Sequence, residues 1–479
     1  MVQSSKMDEP QAGRALKFPT AYTILFLLII VVAAATWIIP AGSYERQMSE
    51  ALGREVPVPG TYQEVEPNPQ GLWDVLIAPI AGFYDPGSYE AAAIDVALFV
   101  LVIGGFLGVV TKTGAIDAGI GGAMAALKGR EKWMIPILMA LFAAGGTIYG
   151  MAEESLAFYA LVIPVMIAAG YDSATAVAII MLGAGIGTLG STINPFATVI
   201  ASNAAGVPFT NGIVLRFVIL IVGWLACVAY VMRYAARVKA DPSRSIVADR
   251  LAEHRAHFLK GREAAGAPPL TGLRKLVLLL FALSFAVMIY GVAVAGWWMA
   301  EMSALFLAAA LVVGLLTRMG EEEFTTTFVN GARDLLGVAL VIGIARGIVV
   351  IMDNGMITDT ILYWSEQAVS GLGDIAFINA VFGVQLALSF FVPSSSGLAV
   401  LTMPIMAPLA DFSGVDRDLV VTAYQSANGL LNLVNPTFAV VMGGLAIGRV
   451  PYDRWFRFMV PLMLGLAVLI IVLLSVATL

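Results

Sequence analysis

Apolar runs of about 20 residues recur along this chain from Phe18 to the C-terminus, and they restrict it to a membrane fold. A run of this length crosses a hydrocarbon core of about 30 Å as one helix. Apolar residues make up 59% of the 479 positions and charged residues 13%, whereas a soluble domain has roughly 25% charged residues. The sequence therefore predicts an all-α integral membrane protein whose surface contacts the lipid bilayer.

The charged residues are concentrated between these runs, and their sign predicts the topology. Cytoplasmic loops carry an excess of Lys and Arg; segments 1–18 and 233–275 have this excess, whereas loop 41–89 is acidic. The first apolar run, Phe18 to Pro40, is longer than the roughly 7–15 residues of a signal-peptide core, so we expect it to be an uncleaved span. The charges predict a cytoplasmic N-terminus, and we expect a multi-pass protein of the cell inner (plasma) membrane.

The two halves of the chain resemble each other. Leu101-Val-Ile-Gly104 recurs as Leu340-Val-Ile-Gly343, and Asn194-Pro195 recurs as Asn435-Pro436 at nearly the same spacing. Several matches in order indicate a duplication. The predicted segments are a cytoplasmic N-terminal segment (1–18), a first membrane half (19–236), a cytoplasmic linker loop (237–272) and a second membrane half (273–479).

Loop charges indicate that the two repeats have opposite orientations. The span around Gly104 precedes a basic loop, whereas its counterpart around Gly343 follows Arg318 and precedes Asp353. Inverted repeats are typical of secondary carriers, which bind their solute near the bilayer midplane where the repeats meet. We therefore expect a secondary active transporter and not an enzyme or a passive channel.

Each half contains two interruptions of its helical pattern. Short apolar segments flank a polar tip at about 133–170 and again at about 375–411, and such short segments predict re-entrant hairpins. The Asn-Pro pairs interrupt apolar runs, because Pro lacks an amide donor and disfavours helix in the residue before it. Polar backbone at membrane depth lies in protein or lines a cavity, so these four breaks predict one polar site.

Several motifs over nearly the whole chain resemble the YfcC-like membrane proteins of the DcuC-like branch of the ion transporter superfamily. They are Gly150-Met-Ala-Glu-Glu-Ser155, Ser191-Thr-Ile-Asn-Pro-Phe196, Ile344-Ala-Arg-Gly347 and Leu401-Thr-Met-Pro-Ile-Met-Ala-Pro-Leu409. The resemblance implies a homodimeric carrier with a scaffold and a hairpin-bearing transport domain that moves in an elevator-like way. It implies C4-dicarboxylates as solutes or, as in an arginine/ornithine antiporter, basic amino acids.

Asn194 and Asn435 are the first candidate site residues. Their side chains and the carbonyls freed by the breaks predict coordination of Na⁺ or hydrogen bonding to a solute. The structural alternative is a helix kink in which each Asn bonds its own backbone.

Glu153 and Glu154 lie at the first hairpin tip, where a charge at the bilayer centre costs at least about 2.5–3.5 kcal/mol. Adjacent carboxylates repel, so one of them is a candidate proton carrier. They could instead bind a solute ammonium or pair with Arg346, and the structural alternative is a tip in the aqueous interface. Arg346 itself is a candidate for binding an anion or for pairing with Asp353.

Ser394, Ser395 and Ser396 precede the outgoing helix of the second hairpin. Its N-terminus offers amides and a positive dipole to a carboxylate, although serine capping would use the same geometry. Weaker candidates are the hydroxyl side chains near the breaks, which are Ser191, Thr192, Thr198 and Thr437.

Several other functions are disfavoured. We expect no cofactor beyond a coupling Na⁺ or H⁺, and no nucleic-acid partner; the chain has one Cys, and both His lie in one loop. An intramembrane aspartyl protease is a remote alternative, with Asp374 of a Gly-x-Gly-Asp string and Asp172 predicted on opposite sides of the membrane. Tryptophans near the span ends predict an interfacial belt; they are Trp73, Trp297, Trp298, Trp364 and Trp455.

Overall fold

The computed structural model describes residues 19–52, 54–126, 130–259 and 268–479. The predicted N-terminal segment 1–18 lies outside the described residues, as does the stretch 260–267 within the predicted linker.

Helices dominate both halves of the described chain, which confirms the predicted helical membrane fold. The first half contains α1 (Ala21–Ala35), α2 (Leu72–Ala81), α3 (Ile94–Lys112), α4 (Ala115–Ala126), α5 (Met134–Tyr149), α6 (Leu156–Ala168), α7 (Ser173–Leu189), α8 (Ile200–Ala205) and α9 (Ile213–Ala240). The linker contains α10 (Leu251–Phe258). The second half contains α11 (Gly272–Ala295), α12 (Met299–Leu316), α13 (Glu321–Asp334), α14 (Leu336–Asn354), α15 (Thr358–Val369), α16 (Asp374–Phe391), α17 (Ser395–Ser413), α18 (Arg417–Leu431), α19 (Ala439–Gly448) and α20 (Tyr452–Ala477).

Within the described ranges, nine helices are long and apolar enough to cross a membrane. They are Ile94–Lys112, Glu131–Tyr149, Ile213–Ala240, Gly272–Val292, Met299–Leu316, Leu336–Asn354, Asp374–Phe391, Ser395–Ser413 and Tyr452–Ala477.

The acidic segment 41–89 is more ordered than a loop. It forms two small antiparallel sheets, in which β1 (Gly42–Ser43) pairs with β4 (Gln63–Glu64) and β2 (Arg46–Ser49) pairs with β3 (Arg54–Pro57). Helix α2 follows and packs against α14. The sequence did not indicate these elements, because strands of two to four residues carry little periodic signal.

The order of helices along α3–α9 recurs along α14–α20. In each half a long helix and a shorter one precede a helix pair, and then come a broken helix and a final long helix. The pairs α5–α6 and α16–α17 occupy the segments predicted as hairpins. The long helix α9 extends to Ala240, so Arg233 and Arg237 belong to it and not to the linker loop.

Helices α7 and α18 form the centre of the molecule. Helix α7 packs against α5 and α6, α18 packs against α16 and α17, and the two central helices pack against each other. Gly146 of α5 faces α7 so closely that a Cβ there would lie 2.3 Å from the carbonyl oxygen of Ala184. Small residues permit such an approach between membrane helices. Each hairpin is thereby fixed to the broken helix of its own half.

Candidate solute-binding cavity

The first break separates α7 from a π-helical turn at Pro195–Val199. Asn194 has φ −57° and ψ 120°, outside the helical region, as expected before a proline. Its Oδ1 accepts hydrogen bonds from the amides of Phe196 (2.9 Å) and Ala197 (3.0 Å). Its Nδ2 donates to the carbonyl oxygen of Gly146 (3.0 Å). Asn194 therefore caps its own break and also holds the end of α5.

The second break has the same construction. Asn435 Nδ2 donates to the carbonyl oxygen of Ser389 in α16 (2.9 Å), and its Oδ1 accepts from the amide of Thr437 (3.1 Å). The Thr437 hydroxyl lies 2.6 Å from the carbonyl oxygen of Phe390, to which it can donate. In both halves a buried Asn joins the break to the first hairpin helix. Hydrogen bonding of each Asn to its own backbone, the structural alternative, is thus present at both sites.

A cavity of about 960 Å³ lies between the two hairpin tips, the breaks and helices α3 and α14. Eight of the predicted site residues line it: Glu153, Glu154, Asn194, Arg346, Ser394, Ser395, Ser396 and Thr437. The other four, Asn435, Ser191, Thr192 and Thr198, are outside its described lining. The cavity thus brings both hairpin tips together with Arg346.

The first tip presents carboxylates to this cavity. Gly150 ends α5 in the left-handed conformation, at φ +78°, which glycine adopts without steric cost. Glu153 and Glu154 follow in a short 3₁₀ turn before α6. Glu154 is buried, and its Oε2 accepts a hydrogen bond from the amide of Ala152 (3.0 Å). Glu153 is half-buried and lines the cavity.

The second tip presents hydroxyl groups and a helix N-terminus. Ser394 caps α17, its Oγ accepting from the amide of Gly397 (3.2 Å). Tyr424 donates a hydrogen bond to the carbonyl oxygen of Ser395. Asn432 Nδ2 donates to the carbonyl oxygen of Pro393 (2.9 Å). Serine capping is therefore present at Ser394, while Ser395 and Ser396 also line the cavity.

The hydroxyl residues near the first break bond to each other and to α18. The hydroxyls of Ser191 and Thr198 contact each other, and Thr198 Oγ1 donates to Gln425 Oε1 (3.0 Å). Gln425 Nε2 in turn donates to the carbonyl oxygen of Ser191 (2.8 Å). The Thr192 amide donates to Thr147 Oγ1 (2.9 Å). These contacts join the break to neighbouring helices behind the cavity.

Helix α18 contributes site residues that sequence reasoning missed. Gln425 bonds the first break, whereas Asn428 and Asn432 line the cavity. Gln425 and Asn428 lie in α18, which is buried almost throughout, and Asn432 is the residue that caps its C-terminus. Their spacing of three to four residues places them next to one another on one side of the helix. Amides at this spacing were a signal that the sequence offers, since buried polar groups require hydrogen-bond partners.

The charges of the cavity are mainly acidic. Among the described residues that line it, five are acidic and two are basic: Asp95, Glu153, Glu154, Asp353 and Asp359 against Arg46 and Arg346. Arg46 is bonded to Asp359 at 2.9 Å. Among the described residues, no ion pair within 4.0 Å joins Arg346 to Glu154 or Asp353, although the charge of Arg346 acts on Asp353.

Two of the predicted belt tryptophans have other surroundings. Trp298 lines the cavity, and its indole Nε1 donates to Asp95 Oδ2 (2.8 Å). Trp455 is fully buried and donates to the carbonyl oxygen of Leu433 (3.0 Å). The interfacial belt is therefore a wrong explanation for Trp455, whereas for Trp298, which is 46% exposed, the belt position stays a prediction.

The aspartates of the protease alternative have separate surroundings. Asp172 is buried, caps α7 and accepts hydrogen bonds from the hydroxyls of Tyr234 and Ser245 (2.5 Å each). Asp374 is exposed at the start of α16. A catalytic dyad requires two carboxylates facing one reacting bond, and neither residue lines the cavity.

Three known proteins are similar to this chain over nearly its whole length. An uncharacterised protein of Haemophilus influenzae (strain ATCC 51907 / DSM 11121 / KW20 / Rd) is 38% identical, with 97% of each chain covered. YfcC of Escherichia coli (strain K12), described as a proposed basic amino acid antiporter, is 32% identical, with 95% of each covered. The YdaH transporter of Alcanivorax borkumensis, known from a crystal structure, has 14% sequence identity to this chain. Its superposition has a TM-score of 0.42 and covers 96% of this chain and 98% of that one.

The family model described as "C4-dicarboxylate anaerobic carrier" matches residues 18–479. This match spans both hairpins, both Asn-Pro breaks and all nine apolar helices described above. The chain is a multi-pass membrane transporter that belongs to the C4-dicarboxylate anaerobic carrier (DcuC) family.

Proposed function

We propose that this transporter is a secondary carrier for an amino acid with a cationic side chain. The observation that carries the proposal is the excess of carboxylates over guanidinium groups around the cavity. A dianionic solute would be repelled by this excess, whereas a basic amino acid brings two cationic groups and one carboxylate. The description of YfcC as a proposed basic amino acid antiporter supports the same solute class.

The two tips suit opposite ends of such a solute. The N-terminus of α17, with Ser395 and Ser396 in its first turn, offers amides, hydroxyls and a positive dipole to the α-carboxylate. Glu153 and Glu154 offer charge-assisted hydrogen bonds to the cationic groups. Arg346, as the remaining cationic group, supplements the carboxylate end.

A C4-dicarboxylate is the second candidate solute. The description of the family supports it, and so does the position of Arg346 on the cavity wall, free of an ion pair within 4.0 Å among the described residues. In this alternative, Arg346 and the α17 N-terminus would bind the two carboxylates. Glu153 or Glu154 would then have to be protonated.

Coupling and movement are further parts of the proposal. We propose Na⁺ or H⁺ coupling or solute exchange, with Na⁺ near Asn194 and Asn435, where the breaks gather backbone and side-chain oxygens. We also propose an elevator-like movement of the two hairpins and broken helices against α1–α3 and α12–α14. The carrier would be a homodimer in the inner membrane, with its N-terminus in the cytoplasm.

The test is uptake into proteoliposomes containing the full chain, with radiolabelled arginine, ornithine and succinate. Each solute is tested with and without Na⁺ and pH gradients, and after preloading with unlabelled solute. The proposal predicts uptake of arginine and ornithine above that of succinate. Glu64→Gln, an exposed acid in β4, is the control and should leave uptake unchanged. Uptake of succinate alone would replace the proposal with the second candidate.

A further inference from the structure

We propose that Trp298, Phe196 and Asp95 form a subsite of the cavity that binds the side-chain cation of the solute and favours a planar guanidinium over an ammonium. The inference rests on the proposed function and deepens it, because it assigns the cationic end of the solute to one wall of the cavity. All three residues line the cavity.

Hydrogen bonding fixes the indole of Trp298. Its Nε1 donates to Asp95 Oδ2 at 2.8 Å, and Asp95 Oδ1 accepts from the amide of Val96 at 2.7 Å. Asp95 is in the first turn of α3, where the helix dipole stabilises a negative charge. Trp298 is the residue before α12 and is 46% exposed. The ring is thus held beside a carboxylate while its surface is available.

Phe196 continues the aromatic wall to the first hairpin tip. Its ring centroid lies 5.3 Å from that of Trp298, with the two planes at 59°. Phe196 also packs over Gly150, since a Cβ on Gly150 would lie 2.8 Å from Phe196 Cδ2. Helix α3, which carries Asp95, contacts the turn of Glu153. One wall therefore combines two aromatic rings with the carboxylates Asp95 and Glu153.

This combination matches the chemistry of a guanidinium group. A cation is attracted to the face of an aromatic ring, most strongly to that of Trp. A planar guanidinium can stack on the ring and still donate hydrogen bonds from its edges to carboxylates, whereas a compact, strongly hydrated ammonium has no plane to stack. A dicarboxylate would gain nothing from this wall. The subsite therefore predicts a preference for arginine over lysine.

The test measures binding affinity by isothermal titration calorimetry of the purified full-length transporter with arginine, lysine and citrulline. The urea group of citrulline is a neutral analogue of guanidinium. Trp298→Leu should weaken arginine binding by about tenfold, lysine binding by about threefold or less, and citrulline binding by less than about twofold. Trp298→Phe keeps an aromatic ring, so its arginine affinity should lie between those of wild type and Trp298→Leu. Trp297→Leu, at the neighbouring position outside the described cavity lining, is the matched control and should change none of the three.

Two results would overturn the subsite while leaving the proposed function intact. One is an equal loss for arginine and citrulline, which would show that Trp298 only supports the fold. The other is unchanged arginine affinity in Trp298→Leu. If Trp298→Leu fails to fold, the test is the ratio of arginine affinity to citrulline affinity in Trp298→Phe. A ratio unchanged from wild type contradicts the subsite. Failure of the wild type to bind arginine and lysine, with binding of succinate, would instead contradict the proposed function itself.

Discussion

The two hairpin tips share one supporting frame but present opposite chemistry. In the first half, Asn194 holds the carbonyl of Gly146; in the second, Asn435 holds the carbonyl of Ser389. The first tip then carries Glu153 and Glu154, whereas the second carries the serines of 394–396. The supporting frame, in which an Asn joins each break to its hairpin helix, is therefore separable from the chemistry of the site. Similar breaks position both tips, and the tip residues determine which charge each tip attracts.

The largest effect should come from breaking the shared frame. Asn194→Ala removes three hydrogen-bonded contacts and leaves the buried carbonyl of Gly146 without its donor. Each buried group left unpaired costs about 1–3 kcal/mol, so we expect a loss of stability of about 3 kcal/mol or more. Asn435→Ala should cost a similar amount because its contacts are equivalent. Thermal unfolding of the detergent-purified protein measures both.

Asn203→Ala is the control for this pair, since Asn203 is exposed in α8 and should change the unfolding temperature little. A large loss in only one of Asn194→Ala and Asn435→Ala would contradict the equivalence of the two frames.

Replacing a glycine by alanine should destabilise the first tip more than the second. Gly150→Ala places a Cβ 2.8 Å from Asn194 Oδ1 at φ +78°, so we expect a loss of about 2 kcal/mol. Gly397→Ala should change stability by less than about 0.5 kcal/mol, since its Cβ would lie 3.3 Å from Ser394 Oγ within a helical turn. The same thermal unfolding assay compares them. Equal losses would mean that the tips have the same backbone requirement.

The smallest effect should come from the linker that joins the halves. Arg454 donates to both carboxylate oxygens of Asp249 and holds the pKa of Asp249 below its usual range. A lowered folded-state pKa gives stability that is present above the unfolded pKa and is lost as pH falls through the folded value. Because the pair is largely exposed, Asp249→Asn should cost less than about 1 kcal/mol at neutral pH and nothing in acid.

Unfolding of wild type and Asp249→Asn across pH 3–7 measures this loss. A difference that grows as the pH falls would contradict the sign of the argument.

The sequence predicted the frame better than the contents of the cavity. Asn194 and Asn435 were readable because an Asn-Pro pair interrupts an apolar run in each half. The partners of their side-chain amides could not be predicted from the sequence, since Gly146 and Ser389 lie more than 40 residues away from them along the chain. Local backbone rules act over a few residues, whereas these contacts depend on tertiary packing.

Trp298 and Gln425 show why the rest of the site was missed. A Trp near the end of an apolar run is usually interfacial, and only the packing of α12 against α3 brings Trp298 to Asp95. Gln425 bonds Ser191 across the two halves of the chain. No periodicity within one helix can predict a contact between halves.

The most direct test of the divided cavity uses agmatine, which is arginine without its carboxylate. Binding of arginine and agmatine is measured by titration in wild type, Glu153→Gln and the double variant Ser395→Ala, Ser396→Ala. Glu153→Gln should weaken both ligands by about tenfold, because each loses a charge-assisted hydrogen bond. The double serine variant should weaken arginine and leave agmatine within about twofold of wild type. Equal weakening of both ligands by the serine variant, or unchanged binding in Glu153→Gln, would contradict the assignment of opposite charges to the two tips.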